Sequence, residues 1–273
     1  MRVGEYQPAS SRRSSGGERL RTLTLLSAAV LCLCCAPTRA RADSFRTNVV
    51  CRQELAHTHR SRLAKELRRI TGWTELSFGD GCALLAGGEA GGGSRTAREL
   101  LTASAQARDL IIVEDASRRA DVVFARVVPG RWSDGREGEP PAHVLLLDFA
   151  DFAHLRGDRA ARDAFNAGWA LLHEVAHVVR GLDDAHALHE AGPCETFVNL
   201  MRREVGAAER ASYFFTPLPG QERSDFKTKY VRLAFDRHDP SSNRKRRVWL
   251  MWDADAVGEV REPRPNSGAA LTR

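Results

Sequence analysis

The chain lacks any apolar stretch of the roughly 20 residues that a bilayer-spanning helix needs; its most apolar run is Leu23 to Cys35. A polytopic membrane protein is thereby excluded. No G-x-x-x-x-G-K-S/T loop is present, and Gly91-Gly92-Gly93, with no Lys-Ser/Thr after it, reads as linker. Beyond residue 42 there is no C-x-x-C pair, and the chain has no internal repeat, which removes zinc ribbons and solenoids. Glycine (22) and proline (11) are too ordinary in 273 residues for a collagenous or low-complexity chain, and 11 Phe and five Trp supply core material. With 42% hydrophobic and 28% charged residues, a globular protein remains.

A basic character is also missing once the charge is divided along the chain. Of 41 basic and 35 acidic side chains, seven and two fall in residues 1–42, so the formal net charge of +6 belongs almost entirely to that segment. The remainder is near neutral and gives no sign of a nucleic-acid partner. Arg244-Lys245-Arg246-Arg247, after Ser241-Ser242-Asn243, reads as a solvated loop.

Residues 1–42 read as a signal peptide. Arg12, Arg13, Arg19 and Arg21 precede the apolar run, and Ala40-Arg41-Ala42 offers small residues where signal peptidase reads them, which predicts a cut after Ala42. An exported protein, periplasmic or secreted, follows, with no stable membrane insertion after cleavage; an uncleaved signal anchor is the alternative. The mature chain keeps Cys51, Cys82 and Cys194, an odd number that permits at most one internal disulfide. Cys51 with Cys82 is the natural pair, both lying in the amino-terminal part, with Cys194 left as a buried free thiol.

Hydrophobic periodicity alternates between helix and strand. Helices are expected over Arg52 to Ile70, from the Ser94 cap to Arg108, as one long segment from Asp158 to Arg180, and over Cys194 to Val205. Strands are expected at Leu110 to Val113, Val122 to Val128, His143 to Phe149 and Arg247 to Trp252, with loops over Gly79 to Gly93 and Pro129 to Pro141. This predicts an α/β (α+β) class: one domain over residues 43–260, a small twisted sheet with helices, and a disordered tail over 261–273.

The long helical segment carries His173-Glu174-Val175-Ala176-His177, an H-E-x-x-H motif. Histidines four apart project from one helix face and can share one metal ion; the Glu beside the first can take a proton from a metal-activated water. At these residues the chain resembles the zincin metallopeptidases over roughly residues 140–205. The resemblance implies zinc bound by His173 and His177, Glu174 as catalytic base, and an active-site helix below the edge of a twisted sheet.

A third protein ligand is needed. Glu195 follows His177 by 18 residues, near the spacing of the gluzincin subgroup, and sits early in a rigid helix where Val198, Asn199 and Arg202 share its face. Asn199 departs from the acidic residue that thermolysin-like members place there. Asp183 has the spacing of the metzincin pattern, but Gly181 arrives one residue late for it; Asp184 and His186 are the other loop candidates. Glu195 is favoured. Tyr213, Tyr230 and His238 are the candidates for stabilising an oxyanion. The expected function is therefore an exported zinc-dependent metallopeptidase acting on a peptide or protein substrate. The alternatives are an exported binding protein with a structural zinc or none, and a zinc hydrolase of a non-peptide amide.

Overall fold

The computed structural model describes residues 44–258, apart from 118, 133–139, 219–228, 240, 241 and 243. The signal-peptide and tail expectations lie outside these residues. Among the described residues no helix is long and apolar enough to cross a membrane.

The chain forms a mixed α/β domain with two sheets. The first holds β1 (Phe45–Cys51), β2 (Trp73–Phe78), β3 (Ala83–Ala90), β4 (Leu110–Asp115), β5 (Ala125–Gly130) and β6 (Ala142–Leu147), in the order β2-β3-β1-β4-β6-β5. Its centre is parallel, β1 with β4 and β4 with β6, whereas β5 runs antiparallel along β6 and forms one edge. Period-2 alternation explains its two faces. Val49, Cys51, Ile111, Val113, Leu145 and Leu147 join the main core, while Val50, Ile112 and Leu146 point the other way into two small clusters.

Helices α1 (His57–Thr71) and α2 (Arg95–Gln106) follow β1 and β3, and both contribute leucines to the main core. Ser94 caps α2 by accepting from the Ala97 N–H at 2.9 Å. The expected long helix is in fact two, α3 (Arg159–Asp163) and α4 (Ala167–Arg180). Asn166 causes the break: its Oδ1 accepts the N–H groups of Gly168 and Trp169, at 3.0 and 3.2 Å, satisfying the first-turn donors of a new helix. Helix α5 (Gly192–Glu204) follows, with Pro193 in its first turn. The second sheet is built from β7 (Arg156–Gly157), β8 (Glu209–Arg210), β9 (Thr216–Pro217), β10 (Tyr230–Asp239) and β11 (Arg244–Asp253).

Three further expectations change. The glycine-rich stretch is not a loop: its centre, β3, is an inner strand in which Leu84 and Ala86 are buried between β1 and β2. β1, β2 and β10 were not expected as strands, and Arg244-Lys245-Arg246-Arg247 starts β11 opposite Asp239 to Asp236 instead of forming a loop. Cys51 and Cys82 are disulfide-bonded, and Cys194 is free and buried.

Candidate metal centre and catalytic site

Helix α4 owes its position to its apolar face. Leu171, Leu172, Val175 and Ala176 are fully buried, which carries the adjoining His173 and Glu174 into the interior, 7% and 8% exposed. The helix stops at Gly181, whose left-handed φ of 60° reverses the chain. That reversal brings the Leu182 carbonyl to 2.5 Å from His177 Nδ1. An Nδ1–H donated to this carbonyl leaves the Nε2 lone pair of His177 facing inward.

The same turn presents Asp184. Its Oδ1 lies 3.0 Å from His173 Nε2 and 3.3 Å from His177 Nε2, and the two Nε2 atoms are 3.1 Å apart. The loop is tied down where the Cys194 N–H donates to the Asp183 carbonyl at 3.0 Å, and Gly192, at φ 77°, leaves no room for a Cβ against the Ala185 backbone. Asp183 and His186, the neighbouring candidates, are exposed. The Cys194 thiol donates to the His173 carbonyl at 3.4 Å, and a thiol sulfur and two imidazole nitrogens lie within 4.8 Å of one another in the group His173, His177 and Cys194. Asp184, whose Oδ1 meets both Nε2 atoms within 3.3 Å, and Cys194 are thus the two groups placed to act as a third donor.

Glu195, favoured from spacing, lies on the other side of the His173 ring from Asp184. Its carboxylate is 1% exposed and ion-paired with Arg202 and with Arg210, the latter at 3.1 Å. It approaches His173 from the Nδ1 side at 3.2 Å, off the line of a hydrogen bond, while the Nε2 side faces Asp184. Asn199 accepts from Arg202 at 2.9 Å and from the Arg210 backbone at 2.8 Å, closing the cluster. A rigid helical position was read correctly, but two arginines already occupy the carboxylate. Arg202 was visible two helical turns from Glu195; Arg210 gave no sequence signal.

No known family, curated protein or solved structure matches the chain.

Electrostatics separate the groups. Burial pushes the Glu174 carboxyl up, against the lowering influence of His173, His177 and the Val127 backbone N–H on edge strand β5. Burial would raise the Asp184 carboxyl too, but hydrogen bonds with His173, His177 and Tyr213 hold it far below the usual carboxylate range. Burial would lower both histidines; Asp184, with Cys194 beside both and Glu195 beside His173, outweighs it, holding His173 well above the ordinary imidazole range and His177 up to about 10. Cys194 is lowered despite burial by its contacts with the two imidazoles.

Of the three oxyanion candidates, one reaches the site. Tyr213 donates its hydroxyl to Asp184 Oδ2 at 2.8 Å, and its ring stacks 6.0 Å from that of His173. Tyr230 and His238 are exposed on β10. His173, Glu174 and Tyr213 line one recess of about 280 Å³.

Proposed function

We propose that the protein is a zinc-dependent metallopeptidase in which His173, His177 and Asp184 hold the metal and Glu174 is the base. The observation that carries this reading is the convergence of two imidazole Nε2 atoms and one carboxylate oxygen within 3.3 Å of one another, beside a buried Glu at the mouth of a recess. Two imidazoles and a carboxylate are a donor set suited to zinc, and three protein ligands leave a position open. Bound zinc supplies Lewis acidity, polarising a carbonyl and acidifying a water.

The protein's own groups divide the remaining work. Glu174, raised by burial, takes a proton from the attacking water and returns it to the leaving amine. Glu195, pinned by Arg202 and Arg210, sets a negative charge 3.2 Å from the far side of the His173 ring. Tyr213 fixes the Asp184 carboxylate. Peptide is favoured among amide substrates because β5, whose Val127 N–H acts on Glu174, is an edge of the first sheet beside α4. An extended chain can add there as a further strand. The resemblance to zincins at the H-E-x-x-H motif supports the same mechanism, and the sequence pattern of residues 1–42 supports an exported protein.

The proximity of Cys194 favours a second reading, a structural zinc closed by a fourth ligand. One experiment separates them: zinc content and peptide hydrolysis of wild type, Glu174→Gln and Cys194→Ser. A catalytic site predicts about one zinc per chain in all three, with hydrolysis lost, by ~10²-fold or more, in Glu174→Gln alone. Zinc that leaves with the Cys194 thiol, in a protein that cleaves no peptide, would establish the structural site.

A further inference from the structure

The recess beside Glu174 has walls that the proton-transfer chemistry does not use. Beside the ion-paired Glu195, Arg202 and Arg210, they are Phe124, Phe165, Trp169, Phe215, Leu233 and Trp252. The rings meet edge to face, Phe124 with Phe165 at 5.0 Å and with Trp252 at 5.2 Å, and Phe215 with Trp252 at 5.4 Å. Rings so arranged support one another as a fixed wall, with Arg202 over Trp169 and Arg210 over Phe165. Protein cores fill voids of this size unless something else is meant to enter.

A second observation is the backbone of Phe124. Its φ of 64° is in the left-handed region, an outlier for a bulky residue and one that persists only when its surroundings enforce it. Here they do. The Phe124 N–H donates to Asp151 Oδ2 at 3.0 Å, the Phe124 carbonyl accepts from the Asp148 N–H at 2.9 Å, and Asp151 Oδ1 accepts from the Gly258 N–H at 2.9 Å. Two buried aspartates thus hold a strained turn that sets the Phe124 ring in the recess wall, one residue before β5 begins.

We propose that the recess receives a bulky apolar side chain, aromatic or leucine-sized, from the residue adjoining the amide bond to be cleaved. The inference rests on the peptidase reading and gives it a substrate class: apolar peptide segments. Hydrolysis adds water across the C–N bond, giving a carboxylate and an amine, while the adjoining side chain stays anchored among the rings. Burying a phenyl ring in place of a methyl group favours the larger side chain by at least about tenfold.

The test uses two measurements on the whole protein. In the first, zinc-loaded enzyme is given an equimolar peptide mixture and its cleavage positions are read by mass spectrometry. Cuts beside Phe, Tyr, Trp, Leu or Met should exceed those beside Ala or Gly by at least about tenfold. Ala170→Phe, which fills the recess from α4, should reverse the order, and Phe215→Ala, at a half-exposed position tolerant of change, should weaken it. In the second, Glu174→Gln protein is titrated with N-acetyl-phenylalaninamide and N-acetyl-alaninamide and followed by NMR. The first amide should bind about tenfold more tightly, with the difference lost in the added Ala170→Phe background. Cleavage without side-chain preference overturns the recess assignment and leaves the peptidase standing. Preferential binding of the phenylalanine amide without cleavage of any peptide upholds the recess and removes the peptidase. Neither cleavage nor preferential binding overturns both.

Discussion

Tyr213 donates its hydroxyl to Oδ2 of Asp184 at 2.8 Å, while Oδ1 of the same carboxylate faces the Nε2 atoms of His173 and His177. One carboxylate is thereby oriented from both sides. Replacing Tyr213 by Phe removes the outer hold and keeps the ring. Zinc affinity should fall by about 10–100-fold, as when the partner of a ligand is lost, with the fold unchanged. Competition against a chromogenic chelator measures it, and an unaltered affinity would show that Asp184 needs no such support.

Ligand identity can be separated from ligand spacing. Asp184→Ala should lose zinc under mild chelation, whereas Asp183→Ala, altering an exposed side chain, should retain it. Elemental analysis after dialysis decides, and zinc retained in Asp184→Ala would return the third position to Cys194 or Glu195.

Glu195 should matter for the fold before it matters for the metal. Glu195→Ala leaves Arg202, fully buried, without its carboxylate, and breaking such a pair from one side costs about 3–5 kcal/mol. Urea denaturation of the metal-free protein should show a loss of that order, with a smaller loss in Glu195→Gln, which retains the shape. Equal stability of all three would mean that the charge cluster contributes nothing net.

Proton and metal compete for the same nitrogens. In the metal-free protein Asp184, together with Cys194, raises His177 from its ordinary 6.5 to about 10. The stabilisation this implies is fully present below 6.5 and is lost as pH rises through about 10. Zinc requires neutral imidazoles, so its affinity should increase with pH across about 6 to 9 and protons should be released on binding. Calorimetry in buffers of different ionisation enthalpy counts those protons; binding with no proton release would contradict the His–Asp coupling.

Much of the fold was legible because burial writes a period into the sequence. The strands at Leu110, His143 and Arg247 and the helix at Cys194 were found where alternation or helical spacing is strong. β3 was hidden because its inner positions are filled by small residues, Ala83, Ala86 and Gly87 among them, which look like loop when neighbours are unknown. The split between α3 and α4 was hidden because Phe165 keeps the apolar pattern running through the break while Asn166 ends one helix and caps the next. In the site, the i, i+4 histidines and the Glu between them were legible from local geometry alone. That Asp184 faces both Nε2 atoms while arginines hold Glu195 was not, because it depends on a turn at Gly181 and on Arg210, which the second sheet supplies.

The bond between Cys51 and Cys82 joins the end of β1 to the turn leading into β3, across 31 residues that contain α1 and β2. Closing a loop of that length restricts the unfolded chain by about 3–4 kcal/mol. Neither cysteine lines the recess, so the redox state of the surroundings acts on how much intact protein survives and not on how each molecule turns over. Material produced in a thiol-rich host and material produced in an oxidising one should differ in yield and thermal tolerance, yet share one specific activity per folded chain.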